Sequence, residues 1–412
     1  MSTMVRAALM PLPQALESLL VAAESGLGVE MVATLDADGR VLAQDVASEL
    51  HVPPQDNSAM DGYAVRCTDV TQSGAVFSVT QRIAAGSSGQ SVEPFTCARI
   101  FTGAPIPPGA DAVVMQEDCR LVNDCEGGVR IETIPVPGQH IRRAGEDVAR
   151  GQLVLRAGQR LGPAELGLAA SIGLNSLTVA KRPRVALFST GDELVMPGAV
   201  APQDMRPGAI YNSNRFFLAA LLKRLGCIVT DFGIVPDRLD ATVAALRDAA
   251  QEHDLILTSG GVSVGEEDHI KPAVQRLGAL DLWQIAIKPG KPFAYGQVDR
   301  THFIGLPGNP VSSLVTFLLL VRPFLLRLQG VADVAMHSVA ARADFCWPKA
   351  DKRQEFLRVR RNANGGLDLF PNQSSGVLTS VVWADGLVDN PGGQTIAVGD
   401  SVRYVAVSEL LA

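Results

Sequence analysis

Residues 184–193, RVALFSTGDE, open the most regular part of the chain. The apolar run 185–188 is typical of a buried strand, and small, hydroxyl-bearing and acidic residues follow it directly. The same alternation continues to about residue 328. It predicts further strands at 227–235, 255–258, 283–287, 293–295 and 303–306. It also predicts helices at 214–225, 239–252 and 311–328, and one more that follows the turn after 258 and ends at about 277. Strands that alternate with helices predict a central α/β domain, in which a mostly parallel sheet is covered on both faces.

Each predicted strand of this sheet is followed by a turn of small and polar residues. The turns are 189–193, 235–237, 259–268, 288–291 and 306–310. Because ligands bind at the carboxyl ends of parallel strands, five such turns on one edge predict a binding site. Glycines in these turns allow backbone N–H groups to approach an anion, and the third turn leads into a helix N-terminus that also favours negative charge.

Charged residues in these turns suggest the kind of ligand. Lys288 and Lys291 would attract phosphate-type oxygens, whereas Glu193, Asp237 and Asp268 would repel them unless a divalent cation stood between. Carboxylates without neighbouring Cys ligands suit Mg²⁺, so the residues alone predict a site for a phosphorylated ligand with Mg²⁺. Simpler roles stay open, because the acids can cap or start helices and the glycines can only form turns. GxGxxG and GxxxxGK[ST] are both absent, so a dinucleotide dehydrogenase or a P-loop ATPase fits poorly.

Length and composition limit what the whole chain can be. Its 412 residues predict about two to four domains, and its net charge of −7 argues against a general nucleic-acid-binding protein. The longest apolar stretch, 314–321, is shorter than a membrane span and predicts a buried helix. No signal-peptide core is recognisable, so we expect a cytoplasmic protein without a membrane or nucleic-acid partner. Six cysteines without a CxxC pair predict neither disulfides nor a zinc site.

The sequence on both sides of the alternating region is β-rich. An amphipathic helix is predicted at about 11–30, and short β runs between Gly- and Pro-rich turns predict a small β domain at about 50–145. From about 335 onward the chain is β-like again, with strands predicted at 356–360, 377–383 and 402–407. The polar groups around Asp61 and Thr102 in the small β domain are too specific a pattern for scaffolding, although ordinary turns stay open as an alternative.

Seven motifs together resemble the molybdopterin molybdenumtransferase family, which includes the C-terminal region of gephyrin. They are DNSAMDGYA (56–64), FTGA (101–104), RAGED (143–147), STGDEL (189–194), SGGVSVG (259–265), KPGKP (288–292) and GLPGNP (305–310). They occur in the family's order over roughly residues 50–310. Chance agreement across that many motifs is negligible.

The resemblance implies an α/β plus β fold of four parts. These are a discontinuous dimerisation domain (1–50 and 146–183), a small N-terminal β domain (51–145), a three-layer molybdopterin-binding α/β domain (184–332) and a C-terminal β barrel (333–412). It also implies an elongated homodimer, with the active site between the α/β domain of one subunit and the small β domain of the other. The implied reaction inserts molybdenum from molybdate into adenylylated molybdopterin, requires Mg²⁺ and releases AMP. The molybdopterin adenylyltransferase of the same pathway is a candidate partner.

The resemblance also implies roles for individual residues. The candidate catalytic residues are Asp61, Glu193, Asp237, Lys288 and Lys291. The candidate metal ligands are Asp237, Asp268 and Glu193. The candidate substrate-binding residues are Thr102, Asp147, Thr190, Gly191, Ser259, Gly260, Gly261, Ser263, Pro307, Asn309, Arg353 and Ser375. Three of the candidates are expected to reach the cleft from the partner subunit, namely Asp61, Thr102 and Asp147.

Two positions depart from the family pattern. Asn212 stands where many relatives carry Asp, so it can cap a helix or hydrogen-bond but cannot serve as an anionic metal ligand. Ser374 stands where glycine is common. Two other functions stay open: an adenylyltransferase or phosphohydrolase on a related fold, and a catalytically inactive scaffold. The flanking β regions argue against the first, and the intact acids argue against the second.

Overall fold

The computed structural model of the chain describes residues 9–23, 26–122, 127–236, 238–261 and 269–411. Within these ranges the strands form three six-stranded sheets and several two-stranded pairs. The candidate residues Asp237, Ser263 and Asp268 lie outside the described residues.

Two short antiparallel pairs join the N-terminal segment to residues that follow the small β domain. They are Val29–Ala33 with Ser176–Ala180, and Val46–Ala47 with Leu153–Leu155. Helix Pro163–Ser171 belongs to the same part of the chain, and Ala169 and Ile172 pack in one core with Leu42. The pairing brings together segments from both sides of the small β domain, while the domain boundaries themselves stay a prediction.

The N-terminal helix is shorter than the sequence predicts. It spans Leu12–Ala22 rather than about 11–30, and Gly26 has a left-handed backbone (φ +60°) that a helix does not accommodate. Its Ala15 and Leu19 pack into the core of the α/β domain. The helix therefore helps to cover the central sheet.

The small β domain contains the first six-stranded sheet. In spatial order the strands are Ala112–Met115, Gly62–Val65, Thr96–Ile100, Ala75–Ile83, Gly128–Ile131 and Cys119–Val122. The sheet supports two cores, one around Phe77 and Val114 and the other around Ile83 and Ile100. A bulge between Val79 and Gln81 lets the single strand Ala75–Ile83 contribute to both cores. Strand Asn57–Ser58 pairs separately, antiparallel to Ile141–Arg142.

The α/β domain contains the second sheet. In spatial order its strands are Ile228–Val235, Arg184–Thr190, Leu255–Ser259, Thr301–Leu306, Pro292–Val298 and Gly278–Gln284. The first four are parallel and the last two are antiparallel to their neighbours. The predicted mostly parallel sheet is thereby confirmed.

Helices cover both faces of this sheet and complete the predicted three layers. They are Asn214–Arg224, Leu239–Glu252, Ile270–Leu277, and the continuous run Pro310–Thr316, Phe317–Val321 (a π-helical turn) and Arg322–Leu328. One face packs around Leu218 and Phe324, and the other around Leu246 and Val274. A short parallel pair, Leu194–Val195 with Ile210–Tyr211, lies in the connection after the first strand.

The helical run from Pro310 to Leu328 is long and apolar enough to cross a membrane, and among the described helices it alone meets both conditions. In the fold, 89% of its most apolar window is buried. Its side chains, among them Val315 and Phe324, form much of the α/β core. The prediction of a buried helix in this stretch is confirmed.

The C-terminal strands form the predicted barrel. They are Val339–Ala343, Gln354–Arg361, Gly366–Leu369, Gly386–Asn390 and Ser401–Ala406. The barrel closes because Gln354–Arg361 pairs with both Gly366–Leu369 and Gly386–Asn390. Strand Ile287–Lys288 of the α/β domain pairs with Gln354 and Glu355, which fixes the barrel against that domain.

The strand predicted at 377–383 is wrong, because the chain forms a short helix there, Thr379–Trp383. Its β-branched valines favour a strand, but the buried Ser380 hydroxyl donates to the Val377 carbonyl and holds a helical turn (2.6 Å). A second short helix, Val407–Leu411, follows the last strand. Local turn contacts override β propensity in this segment.

Candidate active site

A cavity of about 830 Å³ opens at the carboxyl edge of the central sheet. The turns after the parallel strands converge there, as the sequence predicts. Eight of the predicted site residues line it: Thr190, Gly191, Glu193, Ser259, Gly260, Gly261, Pro307 and Asn309. The remaining described candidates lie outside the lining, so the structure brings together one compact subset of them.

The turn after strand Arg184–Thr190 places the acidic group of the cavity. Gly191 has φ +137°, and a Cβ built on it would lie only 2.6 Å from Oε2 of Glu193. The Glu193 carboxylate therefore folds back over the glycine. Its backbone is also held, because the Glu193 carbonyl accepts a hydrogen bond from the N–H of Ile210 (2.8 Å). Glycine suits this position because other residues rarely adopt a φ of +137°, and a side chain here would in addition displace the carboxylate.

The turn after strand Leu255–Ser259 packs tightly against its neighbours. Gly260 has φ +94°, and a Cβ there would lie 2.7 Å from the Thr190 carbonyl oxygen. Its N–H, expected to face a phosphate, instead donates to the Leu306 carbonyl (3.0 Å). The N–H of Gly260 is therefore already used within the protein. The Ser259 hydroxyl belongs to a buried residue and accepts a hydrogen bond from Asn214.

Asn214 is a buried residue that the sequence interpretation missed. It is the first residue of helix Asn214–Arg224, and its Nδ2 donates both to Oγ of Ser259 (2.8 Å) and to the carbonyl oxygen of Gly308 (2.7 Å). One amide thus joins two of the turns that line the cavity. The available signal was an Asn at a predicted helix start, two residues after Asn212, which departs from the family pattern.

Asn212 itself is buried in the cavity wall. Its Oδ1 accepts a hydrogen bond from the N–H of Arg215 (3.3 Å), so it caps the helix in the way expected of an amide. Because the side chain is neutral, it adds no charge to the cavity. Among the described lining residues, Glu193 is the sole carboxylate and there is no lysine or arginine.

Lys288 does not line the cavity and belongs to a cluster of charged residues, which we call the junction cluster: Lys288, Asp351, Arg353 and Glu355. Its Nζ lies 3.0 Å from Oε1 of Glu355 and 3.5 Å from Oδ2 of Asp351. Arg353 binds Asp351 through two nitrogens (2.8 and 3.0 Å), and these hydrogen bonds lower the pKa of that carboxyl group. Glu355 is buried and also accepts a hydrogen bond from Nε1 of Trp347 (2.8 Å). Lys288 and Arg353, two of the predicted site residues, thus bind barrel carboxylates in this structure.

Two further candidates border the cavity. Lys291 is exposed and precedes Pro292, a lining residue. Ser375 precedes the lining residue Gly376, and its carbonyl accepts a hydrogen bond from the N–H of Val311 (2.9 Å). The barrel loop that contains Ser375 and Gly376 therefore binds the helix that starts at Pro310 and forms part of the cavity wall.

The N-terminal candidates form a separate group in the small β domain. Oδ1 of Asp61 accepts hydrogen bonds from both the N–H (2.8 Å) and Oγ1 (2.7 Å) of Thr102, and these bonds lower the pKa of Asp61. Asp147 is an exposed residue of the motif 143–147. Arg143 of the same motif binds Asp56 of the motif 56–64 (2.6 Å). The motifs 56–64, 101–104 and 143–147 therefore meet, although none of their residues lines the cavity of the same subunit.

Within the described ranges, no group of three or more His, Cys, Asp or Glu side chains is placed to hold a metal. Of the predicted metal ligands only Glu193 is described. Its surroundings of hydroxyl and amide groups, without thiol ligands, suit a hard cation such as Mg²⁺.

Comparison with known proteins gives one consistent result. Family models match the MoeA N-terminal region (domain I and II) over residues 10–173, a probable molybdopterin binding domain over 186–327, and the MoeA C-terminal region (domain IV) over 340–407.

Two curated relatives are similar over most of their length. The molybdopterin molybdenumtransferase of Haemophilus influenzae is 46% identical over 72% of this chain and 72% of its own. That of Synechococcus elongatus is 36% identical over 94% and 97%, respectively. A solved structure of a molybdopterin biosynthesis MoeA protein from Pyrococcus horikoshii OT3 is 27% identical, with a TM-score of 0.82 and coverage of 97% and 100%.

Proposed function

The chain belongs to the molybdopterin molybdenumtransferase family, and we propose that it uses molybdate and adenylylated molybdopterin and releases AMP with the help of Mg²⁺. Insertion of molybdenum into molybdopterin, a transferase reaction, follows from the family itself. The adenylyl group, AMP and Mg²⁺ are the proposed part. The observation that carries it is the cavity of about 830 Å³, a size that suits a nucleotide-like ligand, at the edge where the glycine-rich turns meet.

Neutral side chains would do most of the binding in this cavity. Thr190, Ser259 and Asn309 offer hydroxyl and amide groups, which can pair with the polar edges of a pterin and with phosphate oxygens. Asn214 holds two of the contributing turns at a fixed separation. A ligand that binds between these two turns would meet groups that are already in position. Such preorganisation favours binding of the transition state.

Glu193 is the residue that we propose to hold Mg²⁺, together with Asp237 and Asp268 from the sequence prediction. Bound there, Mg²⁺ would offset the charge of phosphate oxygens near these acids. Without a cation, the Glu193 carboxylate would repel an anionic ligand. Lys291, exposed beside the lining residue Pro292, is placed to attract that ligand at the cavity border.

We propose a homodimer that completes the site. Asp61, Thr102 and Asp147 do not line the cavity of their own subunit, so they would have to reach a second subunit's cavity to take part. The N-terminal segment carries apolar side chains that suit such an interface: Met31 is 72% exposed and Leu35 is 90% exposed. Sedimentation velocity of the full chain tests the dimer, and a monomer at micromolar concentration would contradict it.

The experiment that tests the reaction is AMP release by the purified chain from adenylylated molybdopterin, with and without molybdate and Mg²⁺. We expect release to require both, and Glu193→Gln to lose most of it. Asp192→Asn is the matched control, because this neighbouring acid is exposed and does not line the cavity. AMP release independent of molybdate would contradict the proposal. Formation of adenylylated molybdopterin from ATP would indicate an adenylyltransferase instead.

A further inference from the structure

Two arginines share one aromatic ring at the surface of the small β domain. Arg82 and Arg99 are direct neighbours on the parallel strands Ala75–Ile83 and Thr96–Ile100. Their guanidinium carbons lie 4.5 and 4.8 Å, respectively, from the centre of the Phe101 ring. Arg82 is exposed, whereas Arg99 and Phe101 are half-buried. We call these three residues the arginine platform, because one flat side chain holds two guanidinium groups.

The charges of the arginine platform are not balanced by carboxylates. Neither arginine forms an ion pair with a described residue. Arg99 donates to two neutral acceptors, the Gly62 carbonyl (3.1 Å) and Oε1 of Gln116 (2.6 Å). The Arg82 guanidinium has no hydrogen-bond partner in the described part of the chain. Because like charges on neighbouring strands repel, and the Phe101 ring offsets only part of that repulsion, an anion that joined the two arginines would stabilise them.

The chemistry of the arginine platform favours phosphate. A guanidinium presents planar, paired N–H donors that match two oxygens of a phosphate group, and the resulting hydrogen bonds are strengthened by charge. Stacking on Phe101 restricts the side chains in advance, so less conformational freedom is lost when an anion binds. A multiply charged anion would be attracted by both arginines at once.

The arginine platform adjoins the motif residues Asp61 and Thr102. Phe101 directly precedes Thr102, and the Gly62 carbonyl that accepts from Arg99 belongs to the residue after Asp61. The Thr102 hydrogen bonds and, to a smaller extent, the charge of Arg99 lower the pKa of Asp61. An anion on the platform would therefore lie beside the residues that we propose to complete a second subunit's cavity, and none of the three platform residues lines the cavity of its own subunit.

We propose that the arginine platform binds phosphate groups of the substrate at the edge of the shared active site. The identity of the ligand rests on the proposed function, because adenylylated molybdopterin and the site between two subunits are parts of it. The platform attracts and orients the substrate and takes no part in breaking or forming bonds. Its affinity for a phosphate group is a property of the small β domain and can be measured without the reaction.

Titration of the full chain with inorganic pyrophosphate, in the absence of divalent cations, tests this affinity. Arg82→Gln removes one charge of the platform. Arg130→Gln is the matched control, because Arg130 is an exposed arginine of the same sheet that pairs with Val76, six residues before Arg82. One charge removed at about 4 Å in water-like surroundings weakens the binding of a multiply charged anion by about tenfold. We expect that rise in the pyrophosphate Kd for Arg82→Gln, an unchanged Kd for Arg130→Gln, and retention of most of the affinity in Arg82→Lys.

Equal pyrophosphate affinity in Arg82→Gln and Arg130→Gln would overturn the inference, and so would a parent protein that does not bind pyrophosphate. In molybdate-dependent AMP release, Arg82→Gln should raise the KM for adenylylated molybdopterin with little change in kcat. An unchanged KM would overturn the role of the platform in substrate binding. A parent protein that binds pyrophosphate through Arg82 but releases no AMP would reject the proposed function, while the phosphate site itself would stand.

Discussion

Gly191→Ala should abolish most of the activity without unfolding the protein. A Cβ at this position would lie 2.6 Å from Oε2 and 2.7 Å from Oε1 of Glu193, whereas ordinary contact begins at 3.4 Å. The carboxylate must therefore move by about 0.8 Å, the difference between 3.4 and 2.6 Å. Because it is the end of a flexible side chain, the fold can absorb this shift. A catalytic group misplaced by about 1 Å can cost about 100-fold in rate, so we expect a loss of that order in kcat/KM.

The chain provides a matched control for backbone strain. Gly198 lies in the same connection and also has a left-handed backbone (φ +86°), but a Cβ there would have no neighbour within 4 Å. Gly198→Ala therefore carries a strain of about 1–3 kcal/mol without displacing a carboxylate. We expect both variants to lower the melting temperature slightly and only Gly191→Ala to lose activity, measured as molybdate-dependent AMP release.

Glu193→Gln completes the comparison. If Gly191→Ala acts through this carboxylate, adding it to Glu193→Gln should cause little further loss, because the two changes remove one interaction. Wild-type kcat/KM in Gly191→Ala would refute the reasoning. So would fully multiplicative losses in the double variant, since they would show that the glycine acts on something other than Glu193.

Three further changes test other contacts of the molecule. Thr102→Val removes a hydrogen bond that holds the pKa of Asp61 below its usual value, so the acidic limb of the pH profile of kcat/KM should move to higher pH. The contribution of this depressed pKa to the free energy of unfolding is present above the ordinary Asp pKa and is lost as pH falls through the folded-state value. An unchanged pH profile of kcat/KM would exclude Asp61 from the rate-limiting steps. Asn214→Ala releases the two turns that its amide joins, which should cost about 1–3 kcal/mol in unfolding and raise the substrate KM; an unchanged KM would assign it to stability alone. Lys288→Met leaves the carboxylate of Glu355, a residue 1% exposed, without its ion-pair partner. Since the Lys288 side chain is 41% exposed, we expect Lys288→Met to lower the free energy of unfolding in urea by about 2 kcal/mol, less than the loss of a fully buried pair. The loss should be smaller in a protein that already carries Glu355→Gln. Additive losses of the two changes would show that the pair is not coupled.

The sequence predicts the strands and helices of the α/β domain well because these elements depend on local signals. Apolar runs of strand length and helical periodicity lie close together along the chain between residues 184 and 328, and a parallel sheet then brings the following turns to one edge. That geometry alone accounts for Thr190, Ser259 and Asn309 meeting at one cavity. Their roles in the reaction remain predictions.

What the sequence does not predict depends on contacts between distant segments. Lys288 binds Glu355, 67 positions away, only because the barrel is fixed against the α/β domain. The N–H of Gly260 is used by Leu306 on the neighbouring strand, so a glycine-rich turn does not by itself leave its donors free for a ligand. Asn214 likewise gains its role from two turns that are adjacent only in the folded chain.

The electrostatics of the cavity connect these observations. A ligand with phosphate and oxyanion groups needs positive charge, yet the described lining residues include the carboxylate of Glu193 and no lysine or arginine. Of the nearby cations, Lys291 lies at the cavity border, whereas Lys288 and Arg353 of the junction cluster are paired with as many carboxylates, Asp351 and Glu355. The barrel contributes to the wall of the cavity, because Gly376 lines it. If the proposed reaction holds, a divalent cation at Glu193 would therefore have to supply most of the positive charge that the ligand needs.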